Sequence, residues 1–180
     1  MQKNKRFAST KAIACCALLA ALSIVMARLL SFSTPGVRWS LDKFPLFLAG
    51  MLFGPMFGAM TGFTADLIGS LMQMGFNPAL CPPAILYGVF GGLFSMFIAR
   101  KPSLLRVAIS YAFPVVLGSI LYQSVALAYF YPKGPYMVSL IYFLSSRSFQ
   151  FALFFVAEVL IIFTLLKMRV FSRMGLWPKK

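Results

Sequence analysis

Histidine is absent from this 180-residue chain, and only three of its residues are acidic. A Ser-His-Asp triad and the metal sites that use imidazole are therefore excluded. The chain also lacks the Gly-x-x-x-x-Gly-Lys-Ser/Thr motif with which P-loop proteins bind ATP. Because candidate nucleophiles, bases and metal ligands are so few, we expect no catalytic residues, no metal site and no cofactor, and we do not expect an enzyme.

Cysteine is also scarce, with Cys15, Cys16 and Cys81 as its three occurrences. Adjacent residues on a helix point in different directions, so Cys15 and Cys16 neither pair nor chelate easily. We expect all three to be small packing residues.

The chain is rich in apolar residues: 61% are hydrophobic, 11% are charged, and the mean hydropathy is +0.87. Such a composition is typical of proteins that lie in lipid. Proline, glycine and charged clusters divide the chain into six apolar segments, and Gly54-Pro55 separates the second from the third. The segments are residues 11–31, 43–53, 56–72, 84–99, 107–130 and 137–166. The pattern predicts an all-α integral membrane protein with six transmembrane helices.

The 17 basic residues outnumber the acidic ones and give a net charge of +14. They cluster between apolar segments, so we expect no nucleic-acid binding. Four lie before or at the start of the first segment, three lie between the fourth and fifth, and five lie in the tail, against Arg38, Lys43 and Lys133 in the alternate loops. This bias of twelve to three predicts that both termini are cytoplasmic. The loops of residues 32–42 and 73–83 then lie outside, where we expect them to cover a ligand.

Charged side chains interrupt the apolar segments at Arg28, Asp66, Arg147 and Glu158. A charge at the centre of a membrane helix costs at least about 2.5–3.5 kcal/mol, so each needs a partner, a water-filled cavity or a ligand. The planar fork of arginine binds two carboxylate oxygens at once. Two arginines that face one cavity would therefore bind an anionic small molecule. For Glu158 we expect a structural pair with a basic residue such as Arg100 or Lys167.

Polar and aromatic side chains near the arginines complete the predicted binding site. Arg147 and Gln150 are three residues apart and share a helix face. Tyr122 and Gln123 either reach the same cavity or make ordinary hydrogen bonds between helices. Asp66 either accepts hydrogen bonds from a ligand amino group or pairs with a buried arginine. The predicted substrate-binding residues are Arg28, Arg38, Trp39, Asp66, Tyr122, Gln123, Arg147, Gln150 and Phe151.

Small residues lie on one face of the first segment, because Ala14, Ala17 and Ala21 follow a spacing of three and four. Such residues let another helix approach closely. The face packs either within the molecule or against a separate membrane partner.

The run of residues 43–69 is the most specific part of the chain. It has a proline near a helix start, the Gly54-Pro55 break, and Gly58 and Gly62 ahead of Asp66. Together with Ala17 and Ala21, which match an Ala-x-x-x-Ala motif, this run resembles the substrate-binding (S) components of energy-coupling factor (ECF) transporters, the vitamin uptake systems of prokaryotes. Within that group, residues 17–28 and 37–45 and the stretch around Gly54-Pro55 are most similar to the folate family.

The resemblance implies a single transmembrane domain over residues 1–180 in the bacterial plasma membrane. It implies high-affinity binding of folate from outside. Delivery would follow when the S component topples against a transmembrane coupling (T) subunit, powered by two cytoplasmic ATPases that use ATP. Ala14, Ala17 and Ala21 would dock the coupling subunit. S components often have an acid at the position of Asp66, which favours its structural pairing.

Two alternatives stay open. In the first, the protein is an S component for a different vitamin, such as pantothenate, biotin or riboflavin, because these sequences diverge strongly between substrates. In the second, the protein is a self-contained proton-coupled carrier, which would use buried acids such as Asp66 and Glu158.

Overall fold

The computed structural model describes residues 10–29, 31–34, 37–72, 77–100 and 103–168, with side chains except those of residues 32–34, 37–39, 99 and 100. Six helices correspond to the six predicted segments, which confirms the helical class of the fold. They are α1 Thr10–Leu29, α2 Lys43–Phe53, α3 Pro55–Leu71, α4 Pro82–Arg100, α5 Leu104–Phe130 and α6 Tyr136–Lys167. A short antiparallel hairpin, β1 Phe32–Thr34 with β2 Val37–Trp39, adds to the predicted all-α fold between α1 and α2.

The helices have the length and apolar character of a membrane protein. Within the described residues, four helical stretches are long and apolar enough to cross a bilayer: Thr10–Leu29, Pro78–Ile98, Leu104–Phe130 and Tyr136–Lys167. Large apolar side chains such as Leu18, Leu105 and Ile141 lie exposed along them, as a lipid-facing surface requires. In contrast, α2 has 11 residues and α3 has 17, so at about 1.5 Å per residue neither reaches across a hydrocarbon core of about 30 Å. The count of six crossings therefore stays a prediction.

The break between α2 and α3 falls at Gly54-Pro55, as predicted. Gly54 has a φ of 102°, a positive value that glycine adopts without steric cost. Its N–H donates to the Gly50 carbonyl at 2.8 Å and ends α2. Pro55 takes the first position of α3, where a missing N–H leaves no hydrogen bond unmade. The two helices are thus joined through a single residue.

Glycines bring α2, α3 and α4 into backbone contact. A Cβ atom added to Gly58 would collide with the Gly88 carbonyl, and one added to Gly62 would collide with the Ala84 carbonyl. Gly58 and Gly62, which are spaced as in a Gly-x-x-x-Gly motif, therefore pack inside the molecule and let α3 lie directly on α4. Helices α2, α3 and α4 thus form a closely packed unit, and the other helices pack around it.

Helix α5 widens in its middle. Leu104–Pro114 and Gln123–Phe130 are α-helical, whereas Val115–Tyr122 is π-helical. Pro114 has no N–H and crowds the preceding turn, so the regular hydrogen-bond ladder is disturbed where the wider stretch begins. The widening lies within the predicted helical segment of residues 107–130, which the structure extends to Leu104–Phe130. The π-helical stretch ends at Tyr122, directly before Gln123.

Aromatic side chains pack together where α2, α4 and α5 meet, about one helical turn after Ala84 of α4. Phe47, Tyr87 and Tyr111 are fully buried. The Phe47 and Tyr111 rings meet edge to face with centroids 5.1 Å apart, and the Tyr87 ring lies 5.5 Å from that of Tyr111. The Tyr87 hydroxyl lies 3.0 Å from Ser119 Oγ in the π-helical stretch. This core fixes α5 against the tight three-helix unit.

Candidate binding site

A cavity of about 200 Å³ lies between the helices, and its wall takes residues from all six helices and from the segment before α2. Ten of its seventeen lining residues are polar or charged: Ser23, Arg28, Ser40, Asp42, Lys43, Asp66, Ser70, Gln123, Arg147 and Gln150. The remaining residues are small or apolar and include Phe151. Three of the polar side chains are cationic and two are acidic, so the wall carries an excess of positive charge.

The structure brings six of the nine predicted substrate-binding residues to this cavity: Arg28, Asp66, Gln123, Arg147, Gln150 and Phe151. Tyr122 is 40% exposed and does not line the cavity. It lies at the end of the π-helical stretch, and because neighbouring residues of a helix point in different directions, Gln123 reaches the cavity while Tyr122 stays on the outer surface. Arg38 and Trp39 have their backbone in β2, and their side chains lie outside the described residues.

Arg147 is held in the wall by a neutral side chain. Its Nη1 donates a hydrogen bond to Gln123 Oε1 at 3.0 Å. Gln150, one turn along the same face of α6, is 6% exposed and lines the cavity as well. Among the described side chains no acid lies in ion-pair contact with the Arg147 guanidinium. Its positive charge is therefore positioned without being neutralised, and it can serve an anion that enters the cavity.

Arg28 and Asp66 lie on the α1 and α3 side of the cavity. The Arg28 guanidinium lies beside Gly69, since a Cβ atom built there would be at an ordinary contact distance of 3.6 Å from Arg28 Nη2. The Cys81 thiol and the Lys43 ammonium are neighbours whose electrostatic effects reach the Asp66 carboxylate. Among the described side chains, the arginine pair favoured for Asp66 is not formed, and Asp66 Oδ2 has no hydrogen-bond partner.

An ion pair that the sequence analysis did not assign to the site forms part of the wall. Lys43 Nζ lies 2.9 Å from Asp42 Oδ2, and both side chains are mostly buried. The Ser40 hydroxyl donates to Asp42 Oδ1 at 2.6 Å. The Ser23 hydroxyl of α1 donates to the Asp42 carbonyl at 2.7 Å. These contacts attach the segment after the hairpin to α1 and to the first turn of α2.

The Asp42 carboxyl is stabilised in its charged form. Burial alone would raise its pKa, but the adjacent Lys43 ammonium and the Ser40 hydroxyl outweigh that effect, so the pKa of Asp42 lies below its ordinary value. The signal that could have found this pair was present in the sequence. An acid followed at once by a lysine at a predicted helix start favours a local charge pair at the N-terminus of that helix.

Glu158 lies away from the cavity, between helices. It is 1% exposed, and its neighbour is the Tyr111 hydroxyl of α5. Neither that hydroxyl nor Glu158 Oε2 completes a hydrogen bond. The predicted pair with Lys167 is not formed, because Lys167 lies exposed at the end of α6, and the Arg100 side chain is outside the described residues.

The small residues of α1 face outward. Ala14, Ala17 and Ala21 are all exposed, whereas Ala12, Cys16 and Ala20 on the opposite side of the helix are buried. Ala14, Ala17 and Ala21 are called the alanine face below. The described structure thus does not use this face for packing within the molecule, and it stays available to another membrane helix.

The cavity has the chemistry of a receptor for a small organic anion. It combines cations, amides, hydroxyls and an aromatic side chain within a helical membrane protein. Among the described residues, no three His, Cys, Asp or Glu side chains come together to hold a metal ion. The class that fold and site define is therefore a membrane-embedded binding protein.

The chain belongs to the family described as "ECF transporter, substrate-specific component", because the sequence model of that family matches residues 11–172. This confirms the predicted resemblance over nearly the whole chain. Members of the family are the substrate-binding parts of transporters and not enzymes.

Within the family, the likeness to folate proteins is confirmed as well. The chain is 31% identical to "Folate transporter FolT" of Clostridium novyi (strain NT) over 110 residues, which make up 58% of this chain and 60% of that protein. The match therefore spans about three fifths of the length of this relative. The fold is similar to that in "Crystal structure of FolT bound with folic acid", with a TM-score of 0.74 and 25% identity, and the match covers 87% of this chain and 94% of that one.

Proposed function

We propose that this protein is the folate-binding S component of an ECF-type vitamin uptake transporter in a bacterial plasma membrane. Its family, its likeness to a folate transporter and its likeness to FolT bound with folic acid support the proposal. The observation that carries it is the hydrogen bond from Arg147 to the neutral Gln123 in the wall of the cavity. This arrangement places an uncompensated cation where a carboxylate would bind.

The chemistry of folate fits the side chains of the wall. Folate has a flat pterin with donors and acceptors along its edge, an aromatic linker, and a glutamate with two carboxylates. Arg147 and Arg28 suit carboxylates, because a guanidinium donates two parallel hydrogen bonds. Asp66 and Gln150 suit the amino and carbonyl groups of a pterin edge, and Phe151 offers a ring face for stacking.

The cavity must grow when such a ligand enters. Its volume of about 200 Å³ lies below the roughly 300–1,000 Å³ typical of pockets for ligands of drug size. We therefore expect the helices and the segment before α2 to separate from one another on binding. The predicted cover over the ligand, formed by residues 32–42 and 73–83, falls partly outside the described residues.

The proposed topology has six crossings and cytoplasmic termini. The bias of twelve basic residues to three supports the orientation. The short α2 and the 17-residue α3 would cross with their ends in polar regions or by local thinning of the bilayer. With 32 residues, α6 is about 48 Å long and would extend beyond the hydrocarbon core or tilt.

Energy for uptake would come from partner proteins, since the chain has no ATP-binding motif. The proposed partners are a T subunit and two cytoplasmic ATPases. The exposed alanine face of α1 would dock the T subunit, and the S component would topple against it to release folate inside. No cofactor of its own is proposed for the chain.

Titration calorimetry on the detergent-purified protein tests the proposal. Folic acid should bind one to one and tightly, while riboflavin, biotin and pantothenate should not bind. Binding of another vitamin in place of folic acid would keep the class and overturn the substrate. Binding of none of the four would contradict the proposed function.

A proton-coupled carrier is the second candidate, and the burial of Glu158 is the observation that favours it. Uptake of folate by vesicles that contain this chain without ATPase partners would support the carrier. Uptake that requires those partners would support the S component.

A further inference from the structure

The Lys43 ammonium in the cavity wall is held by an acid of the protein itself. Asp42 Oδ2 lies 2.9 Å from Lys43 Nζ, while Asp42 Oδ1 accepts a hydrogen bond from Ser40. Lys43 and Asp42 both line the cavity. Asp66 and Arg147 also lie close enough to act on the charge of Lys43.

We propose that Asp42 takes the place of a ligand carboxylate when the site is empty, and that Lys43 exchanges Asp42 for one of the two glutamate carboxylates of folate. The proposal rests on the proposed function, and it assigns Lys43 and Asp42 as residues that set specificity for a dianionic ligand. Asp42 would lower affinity for anions in general, and Lys43 would restore affinity for a ligand that can displace Asp42.

The geometry makes such an exchange feasible. A lysine ammonium has three donors on a flexible stem, so it can turn from one carboxylate to another without backbone movement. Asp42 keeps the Ser40 hydrogen bond and the bond from Ser23 to its carbonyl when Lys43 leaves. The carboxylate of Asp42 therefore keeps the hydrogen bond from Ser40 after the exchange, and the Ser23 bond to its backbone carbonyl keeps the segment before α2 attached to α1.

Charge balance shows why direct contact with Lys43 matters for a ligand with two carboxylates. Among the described residues of the wall, Arg28, Lys43 and Arg147 face Asp42 and Asp66, an excess of one positive charge. A ligand with two carboxylates brings more negative charge than this excess. Each further cation that can contact it directly then matters, because charge-assisted hydrogen bonds are about twice as strong as neutral ones.

Two matched ligands isolate the glutamate end. Folic acid has both carboxylates, whereas folic acid dimethyl ester has the same pterin and linker but neither charge. The quantity to measure by titration calorimetry is the affinity for folic acid divided by the affinity for the dimethyl ester. Contributions from the pterin and from overall protein integrity are common to both ligands and cancel in that ratio.

The variants test the exchange directly. Lys43→Gln should lower the ratio roughly 10- to 100-fold, the effect of losing one charged hydrogen bond. Lys43→Arg should keep it close to the wild-type value. Asp42→Asn keeps the shape and the Ser40 contact but frees the ammonium, so it should raise the ratio. In the Lys43→Gln background this gain should disappear.

Asp66→Asn is the matched control, since it removes the other cavity acid, which acts on the charge of Lys43 from a distance and makes no ion pair with it. If Asp66→Asn raises the ratio as much as Asp42→Asn does, the effect is a general electrostatic one and the exchange is overturned. The same holds if Asp42→Asn still raises the ratio in the Lys43→Gln background. An unchanged ratio in Lys43→Gln would also overturn it, while tight folic acid binding by the wild type would leave the proposed function standing. If the wild type binds neither ligand, the proposed function itself fails.

Discussion

Arg147 of α6 and Gln123 of α5 are joined across the cavity wall by a hydrogen bond of 3.0 Å, with the guanidinium as donor and the amide oxygen as acceptor. The amide NH₂ of Gln123 is therefore the group that remains for a ligand acceptor. The pairing fixes both side chains without cancelling the charge of Arg147. A cationic site that is ordered in advance loses less entropy when the ligand binds.

Replacing Gln123 by Glu should weaken folate binding. The new carboxylate would have nearly the same shape, but it would pair with Arg147 and neutralise the cation that the ligand needs. We expect folic acid affinity to fall by roughly 10-fold or more, as measured by titration calorimetry. Arg147→Ala should lower affinity at least as strongly.

Tyr122→Phe is the control for both variants, because Tyr122 lies next to Gln123 but does not line the cavity. It should bind folic acid as the wild type does. Wild-type affinity in Arg147→Ala would remove this arginine from the binding site.

Bulky residues on the alanine face should block transport and spare binding. Ala17→Leu and Ala21→Leu add volume to an exposed surface of α1 and leave the cavity untouched. Folic acid titration on the purified variants should match the wild type, while uptake in cells with the partner subunits should fall sharply. Ala152→Leu, on an exposed position of α6, should change neither. Normal uptake by both α1 variants would refute docking through this face.

Adding a methyl group to Gly58 or Gly62 should destabilise the fold. The new Cβ atoms would collide with carbonyls of α4, so α3 and α4 would have to move apart. Overpacking of this kind costs about 1–3 kcal/mol, and the thermal unfolding midpoint in detergent should drop. At Gly118, a Cβ would have its nearest neighbour at 3.4 Å, so Gly118→Ala is the milder comparison. Equal unfolding midpoints for Gly58→Ala, Gly62→Ala and Gly118→Ala would contradict the backbone contact between α3 and α4.

Glu158→Gln should preserve folate binding and ATPase-dependent uptake. Glu158 is buried beside Tyr111 and does not line the cavity. The amide keeps the shape of the side chain and removes the ability to exchange a proton. A proton-coupled carrier that uses Glu158 would lose uptake in this variant, so the uptake assay on vesicles separates the two functions.

Acid should remove the contribution of Asp42 to stability. Its pKa in the folded protein lies below its ordinary value because Lys43 and Ser40 outweigh the effect of burial. A depressed pKa stabilises the fold fully above the unfolded pKa of about 3.9, and this stabilisation is lost as the pH falls through the folded pKa. The difference in unfolding midpoint between the wild type and Asp42→Asn should be constant from about pH 7 to about pH 4 and then shrink. The other acids are present in both proteins, so their titration cancels in this difference. A difference that stays constant down to about pH 2 would contradict the ion pair.

The boundaries of the helices could be predicted because they depend on local chemistry. Gly54-Pro55 ends one helix and starts the next through restrictions of its own backbone, and the apolar runs have the length of the helices that form. The intramembrane arginines were visible for the same reason, since a charge in an apolar run is apparent without any knowledge of its neighbours. The family resemblance also came from such local runs.

Partners across helices could be decided only by tertiary packing. The sequence left open whether Tyr122 and Gln123 both reach the cavity, and in the folded protein Gln123 contacts Arg147 while Tyr122 is exposed. The alanine face could pack inside or outside by its spacing alone, and the arrangement of α1 on its neighbours leaves it outside. The sequence by itself thus determined where helices form and which charges they bury. Which side chains share a cavity depended on helix rotation and long-range contacts, which no local pattern encodes.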